Sequence, residues 1–236
     1  MSQRVKKKLA ANEPVLFVNP NHVAPSLVEK IGGLGFDGVF IDCERGSPSF
    51  GDVEDLARAA RVSGIASIVR PETNLPWLLT RYLDRGIDGL IVPFVHTPQD
   101  AQQVVDTVRY ARPLDHKDKL VVVIIESRAG VKNLPEILKI DRIDVFFIGG
   151  GDLAQDMGHD LHLLAEGEER PKDVQEAIDG AIDAILGADR TAGLLVNRAN
   201  VGANIDRGVR FFYEMADNLL ATGARDFLDR AQTNGV

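Results

Sequence analysis

Short runs of apolar, often β-branched residues alternate with longer amphipathic stretches along most of this chain. The runs predict eight strands, near residues 15–18, 38–42, 67–70, 89–93, 120–126, 145–148, 193–196 and 210–213. Several of these runs are apolar throughout, which is expected when both faces of a parallel sheet are covered. Apolar residues spaced three or four apart predict helices over 24–34, 50–63, 75–85, 98–110, 131–138, 172–186, 200–206 and 216–232.

Eight successive βα units predict one α/β domain over residues 1–236, folded as a (β/α)8 or TIM barrel. A doubly wound open sheet is the alternative fold, but it would need fewer strands. Residues 1–13 are predicted to be a solvated lead-in to the first strand, and residues 216–236 a C-terminal helix.

Composition narrows the class of protein. The net charge of −8 argues against a nucleic-acid surface, which needs a basic footprint. The single cysteine, Cys43, excludes an internal disulfide and suits a reducing compartment. Because no run is long enough to span a membrane and the start lacks the apolar core of a signal peptide, we predict a cytoplasmic enzyme.

Two of the apolar runs end in an acid. Residues 122–125 lead into Glu126, and residues 145–148 are followed by three glycines and Asp152. If both runs are barrel strands, these acids meet at the carboxyl rim, where TIM barrels place their chemistry. Two hard oxygen ligands suit a Mg²⁺- or Mn²⁺-type ion that keeps open water positions. The alternative is that both acids are loop-entry or helix-capping residues.

Other polar residues follow the predicted strands at the same rim. Arg70, held before Pro71, is suited to grip a carboxylate or to meet the oxyanion of an enolate, or else to form a structural ion pair with Asp42 or Glu44. A 2-keto acid could chelate the ion while Arg70 meets the charge that develops. The remaining rim candidates are Asn19, His22, Arg45, His96 and Asn197.

Five short motifs, in this order, resemble the HpcH/HpaI aldolase/citrate lyase family, the metal-dependent class II pyruvate aldolases. They are GFDGVFIDCE (35–44), VRP (69–71), LDRG with LIVP (83–93), IES (125–127) and FIGGGDL (147–153), within a resemblance that spans about residues 14–223.

The resemblance implies a barrel of the phosphoenolpyruvate/pyruvate type and a lyase that acts on a pyruvate-like 2-keto acid and an aldehyde. Mg²⁺, or else Mn²⁺ or Co²⁺, would bind Glu126 and Asp152, and Arg70 would stabilise the enolate. Backbone amides around Gly150, Gly151 and Asp152 would hold the substrate carboxylate. Exchange of the C-terminal helix would build a homo-oligomer, a trimer or hexamer.

The chain departs from the family pattern at its acid/base residue. Arg45 stands where the family has a His, and a guanidinium stays protonated at any working pH. Asp84, the usual partner of that His, persists, so we predict an Arg45–Asp84 salt bridge, or else that Arg45 grips a second carboxylate. Ile124 stands where the family usually has a substrate-contacting Gln, and the family loop before the fifth strand is missing.

Several functions follow from this change. His22, His96 or a metal-bound water could move the proton in an aldolase, or the enzyme could decarboxylate oxaloacetate, which needs less proton transfer. The chain could also be a non-enzymatic small-acid binding protein. A CoA-ester lyase would need a basic groove, and a sugar-phosphate isomerase a glycine-rich loop after the seventh strand; neither is visible. We therefore predict a metal-dependent carbon–carbon lyase.

Overall fold

The computed structural model describes residues 1–160 and 169–233 of the chain. Eight parallel strands, β1 to β8 in chain order, close into a barrel in which β8 pairs with β1. The strands are β1 (Val15–Asn19), β2 (Gly38–Asp42), β3 (Ala66–Arg70), β4 (Gly89–Val92), β5 (Leu120–Ile125), β6 (Val145–Ile148), β7 (Ala192–Leu195) and β8 (Phe211–Met215). The TIM-barrel prediction is confirmed, and each predicted strand overlaps an observed one.

Helices surround this barrel. They are α1 (Ser2–Ala10), α2 (Pro25–Gly33), α3 (Phe50–Val62), α4 (Pro76–Leu83), α5 (Pro98–Ala111), α6 (Arg128–Ile137), α7 (Gly150–Asp156), α8 (Lys172–Gly187), α9 (Val201–Arg207) and α10 (Ala216–Thr233). Within the described ranges, no helix is both long and apolar enough to cross a lipid bilayer.

Side chains alternate between two apolar layers, as expected for strands covered on both faces. Along β5, Leu120, Val122 and Ile124 point into the barrel, whereas Val121 and Val123 pack against the surrounding helices. Because of the same alternation, the last inward-facing side chain of each strand lies at the carboxyl rim. The barrel interior is therefore a packed core that forms the floor of any site at that rim.

The prediction of a solvated lead-in is wrong, because α1 covers the amino-terminal end of the barrel. Val5 is fully buried and packs into the barrel-interior cluster. Lys6 donates to Asp144 at 2.8 Å and Lys8 to Asp37 at 2.7 Å, and both acids directly precede a strand. This short helix thus seals the end of the barrel opposite to the rim.

Truncating Val5 tests this packing. We expect Val5→Ala to lower the free energy of unfolding by about 1–3 kcal/mol, since it leaves a cavity beneath the barrel. Val62→Ala is the matched control, because Val62 also lies in a helix but is 81% exposed. Urea titrations of both variants measure the difference. Equal effects of the two substitutions would show that α1 does not support the barrel.

Candidate active site

A buried ion pair joins the carboxyl ends of β2 and β3. Asp42 and Arg70 are register partners on these strands. The Arg70 guanidinium donates from Nε to Asp42 Oδ1 at 2.9 Å and from Nη2 to Oδ2 at 2.6 Å, a bidentate geometry. Glu44 adds a second carboxylate, with its Oε2 3.3 Å from Arg70 Nε. Arg70 is thus a fixed cation at the rim, and the predicted structural ion pair is present.

The charge of Arg70 is secured by its partners. Burial alone would lower the pKa of this guanidinium, but the hydrogen bonds and negative charge of Asp42, together with Glu44, raise that pKa above its ordinary value. Burial raises the pKa of Glu44, which Arg70 opposes and the charge of Asp152 reinforces. The site therefore combines a permanent cation with carboxylates that repel one another.

Glu126, which directly follows β5, is buried at the floor of the rim. Its Oε1 accepts a hydrogen bond of 2.7 Å from the backbone N–H of Phe94. Phe94 has a left-handed backbone with φ of 57°, a strained conformation for a bulky residue that is common at functional sites. This strained turn directs one peptide N–H at the carboxylate and leaves the other oxygen, Oε2, for further contacts.

The pKa of Glu126 is raised from its ordinary value of 4.5 to about 7. Burial is the largest cause, the Phe94 N–H opposes it, and the charges of Asp152 and Glu44 raise the pKa further. Because the charges of Asp152 and Glu44 act on Glu126, these three carboxylates lie in one electrostatic environment. A cation between them would be favoured for the same reason.

A glycine turn brings Asp152 to this place. Gly149 is the N-cap of α7, and a Cβ atom there would lie 2.7 Å from Glu126 Cβ and 2.9 Å from Glu126 Oε2, too close for any side chain. Glycine therefore lets α7 begin directly against Glu126. Asp152 lies in the first turn of that helix, and both acids line the same cavity.

The predicted Arg45–Asp84 salt bridge does not form within this chain. The Arg45 guanidinium pairs instead with Asp152, and its Nε lies 4.0 Å from Glu44. Asp84 is the C-cap of α4, where its charge acts on Arg112, the C-cap of α5. A helix in this fold runs back from the rim to the opposite end of the barrel, which separates Asp84 from Arg45.

The rim cavity has a volume of about 270 Å³. Sequence reasoning missed several of its lining residues, among them Tyr213 and Arg170. Tyr213 lies on β8, stacked against Phe40 at 4.4 Å and Phe147 at 5.4 Å between ring centroids. Burial raises its pKa to about 12, so its hydroxyl stays protonated at neutral pH. Tyr213 lies two residues after the inward-facing Phe211 on the same strand, and this spacing could have indicated that Tyr213 also faces inward.

The weaker candidates divide into two groups. Asp42 and Glu44 contact Arg70, which lines the rim cavity, although neither acid lines it directly. The exposed His22 ring lies 3.3 Å from Asp217, at the start of α10. The His96 Nδ1 lies 2.7 Å from the Ser127 hydroxyl, which caps α6. Neither histidine lines the rim cavity, so both are best explained as hydrogen-bonded loop residues.

The donor set fits a divalent cation. Asp42, Glu44, Glu126 and Asp152 carry four negative charges when ionised, against two positive charges from Arg45 and Arg70, so the group has an excess of anionic oxygen. Mg²⁺ prefers such oxygen ligands and commonly takes only one or two carboxylates, completing its shell with water and substrate. In the described part of the chain, no group of three or more His, Cys, Asp or Glu side chains is placed so that it could hold one metal ion. Glu126 and Asp152 would therefore leave open positions on it.

A wider groove of about 780 Å³ lies on the outer surface between α4 and α5, beside Trp77 and Tyr110. Its lining has no residue in common with the rim cavity. Chemistry in a TIM barrel is placed at the carboxyl rim. We therefore assign the candidate site to the smaller cavity.

Comparisons with known proteins show which family this chain resembles. A family model described as HpcH/HpaI aldolase/citrate lyase matches residues 14–219. A hydroxypyruvate/pyruvate aldolase of Deinococcus radiodurans is 31% identical over 219 residues, spanning 83% of this chain and 76% of that protein. A 4-hydroxy-2-oxo-heptane-1,7-dioate aldolase of Klebsiella pneumoniae is 29% identical over 261 aligned positions, spanning 100% of this chain and 96% of that protein.

Solved structures show the same barrel. An HpcH/HpaI aldolase/citrate lyase family protein from Burkholderia cenocepacia has a TM-score of 0.86 at 25% identity, covering 97% of this chain and 99% of that one. A citrate lyase β subunit from Mycobacterium tuberculosis, complexed with oxaloacetate and magnesium, has a TM-score of 0.63 at 17% identity, covering 88% and 93%. The likeness to the citrate lyase β subunit shows a shared fold and nothing more.

Proposed function

This chain belongs to the HpcH/HpaI aldolase/citrate lyase family, and from that premise we propose that it is a divalent-metal-dependent lyase acting on a 2-keto acid through a pyruvate-type enolate. The named relatives are aldolases, so carbon–carbon lyase activity is the activity that they share. The observation that carries the proposal is the shared cavity of Glu126, Asp152 and Arg70. The substrates would be a small 2-keto acid and an aldehyde.

Glu126 and Asp152 would hold the ion, Mg²⁺ by preference, with Mn²⁺ or Co²⁺ as substitutes. When bound, such an ion polarises a keto oxygen as a Lewis acid and stabilises the enolate. Support comes from the oxygen-only donor set and from the raised pKa of Glu126. The magnesium of the citrate lyase β subunit is a property of that distant protein and agrees with this choice.

Arg70 would donate hydrogen bonds to the developing oxyanion. Asp42 uses Nε and one N–H of Nη2, so Nη1 remains available for substrate. Because Asp42 already fixes the guanidinium, little reorganisation is needed when charge develops. The backbone amides of Gly150, Gly151 and Asp152, at the start of α7, would bind the carboxylate of the 2-keto acid.

Proton transfer is where this site differs most from the family pattern. Arg45 cannot accept a proton, and Tyr213 stays protonated because its pKa is about 12. These two side chains can donate hydrogen bonds but do not supply a base at neutral pH. For that reason, decarboxylation of oxaloacetate, which releases CO₂ without a base, is the second candidate reaction.

Turnover of a substrate panel tests the proposal. The purified chain, supplied in turn with Mg²⁺, Mn²⁺ and Co²⁺, should release pyruvate from a 4-hydroxy-2-keto acid or from oxaloacetate. Pyruvate is followed by coupled lactate dehydrogenase, and a chelator should abolish the signal. Binding without turnover on every substrate, or turnover that survives the chelator, would refute the metal-dependent lyase.

Arg45 would compete with the metal for Asp152. We expect Arg45→Gln to tighten Mn²⁺ binding by about tenfold, because it removes a positive charge paired with the ligand. Calorimetric titration with Mn²⁺ measures the change. Arg58→Gln is the matched control, since Arg58 pairs with Glu54 on the outer surface of α3. Weaker binding in Arg45→Gln would show that Arg45 organises the ligand instead of competing for it.

We also propose a homo-oligomer, a trimer or a hexamer. Helix α10 contacts the barrel mainly through β8 and leaves large apolar side chains exposed. Exposed apolar patches of this kind mark protein–protein contacts. The exposed residues are Leu219, Leu220, Phe227 and Leu228.

A further inference from the structure

Four guanidinium groups line the rim cavity, and three of them have carboxylate partners. Arg70 pairs with Asp42, Arg45 with Asp152, and Arg207 with Asp179 and Asp183. The fourth, Arg170, has no ion pair with any carboxylate in residues 1–160 or 169–233.

Arg170 is also short of hydrogen bonds. Its Nε is buried and has no hydrogen-bond partner among the described residues. Burial lowers its pKa, and the charge of Asp179 only partly opposes this effect. A buried guanidinium nitrogen such as this Nε is costly to leave without a partner unless a ligand supplies the missing acceptor. No hydrogen bond or ion pair joins Asp179 to Arg170, and the carboxylate of Asp179 accepts from Arg207 instead.

The position of Arg170 relates it to the proposed metal ligands. A Cβ atom at Gly150 would lie 3.2 Å from both Nε and Nη2 of Arg170, whereas one at the adjacent Gly149 would lie 2.9 Å from Glu126 Oε2. Since consecutive Cα atoms are 3.8 Å apart and each Cα–Cβ bond is about 1.5 Å long, the guanidinium and the Glu126 carboxylate are at most about 13 Å apart. One small substrate could therefore reach both groups.

We infer that Arg170 binds a second carboxylate of the substrate, at the end remote from the reacting keto group. This inference rests on the proposed function and narrows its substrate class to molecules with a distal carboxylate, carried by the aldehyde or by the 2-keto acid itself. A carboxylate matches a single guanidinium fork, whereas a phosphate dianion would call for further cations. The neighbouring Arg207 is already neutralised by two acids. Arg45, the sequence-based candidate for this role, is occupied by Asp152.

The first experiment compares two aldehydes that differ only at the far end. Pyruvate is condensed with succinic semialdehyde, which has a distal carboxylate, or with butanal, which has a methyl group there. We expect Arg170→Gln to lower kcat/KM about 10–100-fold for succinic semialdehyde and about twofold or less for butanal. Arg170→Lys, which keeps the charge but loses the fork, should restore part of the activity.

Arg198→Gln is the matched control, because Arg198 is an exposed arginine after β7, at the same end of the barrel. It removes the same charge without touching the cavity lining. If Arg170→Gln slows both aldehydes equally, or if Arg198→Gln reproduces the selective loss, the inference is overturned while the lyase proposal stands. Arg170 makes no ion pair with residues 1–160 or 169–233, so we expect the variant to fold, and circular dichroism melting checks this.

A binding experiment separates the two proposals if no aldehyde is turned over. The Mn²⁺-loaded protein is titrated with 2-oxoglutarate and with 2-oxopentanoate, which replaces the distal carboxylate with a methyl group. A loss of about tenfold or more in 2-oxoglutarate affinity alone in Arg170→Gln would support the inference even if the lyase proposal has failed. Equal affinity for the two acids in the unmodified protein, or unchanged affinity in the variant, would overturn it.

Discussion

Glu126→Gln is expected to lower kcat for metal-dependent pyruvate release by about 10³-fold or more. The substitution keeps the size and the Phe94 hydrogen bond to the side-chain oxygen but removes one of two anionic ligands. Coupled pyruvate assays and Mn²⁺ calorimetry on the same preparation should show that turnover and Mn²⁺ affinity are lost together. Glu136→Gln, on the outer surface of α6, is the matched control, because Glu136 is exposed and pairs only with Lys139 among the described groups. Full activity in Glu126→Gln would remove the carboxylate pair from the mechanism.

The same variant should change the pH dependence of stability. In the metal-free protein, the pKa of Glu126 rises from 4.5 in the unfolded chain to about 7 on folding. The folded state therefore binds more protons between these values, and the free energy of unfolding falls as pH rises through them, by about 3 kcal/mol. Glu126→Gln lacks this loss, so it should be more stable than the unmodified protein at about pH 8 and lose that advantage towards about pH 5. Urea titrations of the two proteins in the presence of a chelator measure their free energies of unfolding at each pH. A difference in stability that stays constant across pH would contradict the raised pKa of Glu126.

Arg70→Lys is expected to produce the second large effect, a fall in kcat of about 10²–10³-fold. Lysine keeps the positive charge but cannot donate bidentately to Asp42 and simultaneously present a fixed N–H to the substrate. The loss should appear in kcat more than in KM, since the contact strengthens as charge develops. Steady-state kinetics with saturating Mg²⁺ measures the division.

Arg112→Lys provides the control for this substitution. Arg112 makes an equally bidentate contact with Asp115, with both distances 2.9 Å, but at the end of α5 away from the rim. Any general effect of replacing a paired guanidinium should appear in both variants. If Arg70→Lys retains more than about half of the activity, in line with a purely structural ion pair, the oxyanion role is excluded.

The strands were predictable because burial of both sheet faces leaves near-continuous apolar runs, such as the six buried residues of β5. Helix α1 was missed because its sequence is dominated by lysine, and the only signal was the spacing of four between Val5 and Leu9. Its stability comes from contacts with acids at distant strand starts, Asp37 and Asp144, which local patterns do not reveal.

Site residues were predictable where their position is set by the end of a single strand. Asp42, Arg70 and Glu126 follow from strand register, and all three lie at the rim. The prediction gave Arg45 the wrong partner because Asp84 was chosen from the likeness to the family. Within the folded chain, Arg45 reaches Asp152 instead. Arg170 lies outside any periodic segment, so only the folded chain shows that it reaches Gly150.

The ion pairs that α1 makes with Asp37 and Asp144 lie at the amino-terminal end of the barrel, and the candidate site lies at the carboxyl rim. Substitutions at positions 45 and 170 therefore alter the rim cavity without touching the core on which α1 packs. A combinatorial library restricted to those two codons should yield mostly folded proteins, and it offers a short route to redirecting this scaffold toward aldehydes of a different charge or size.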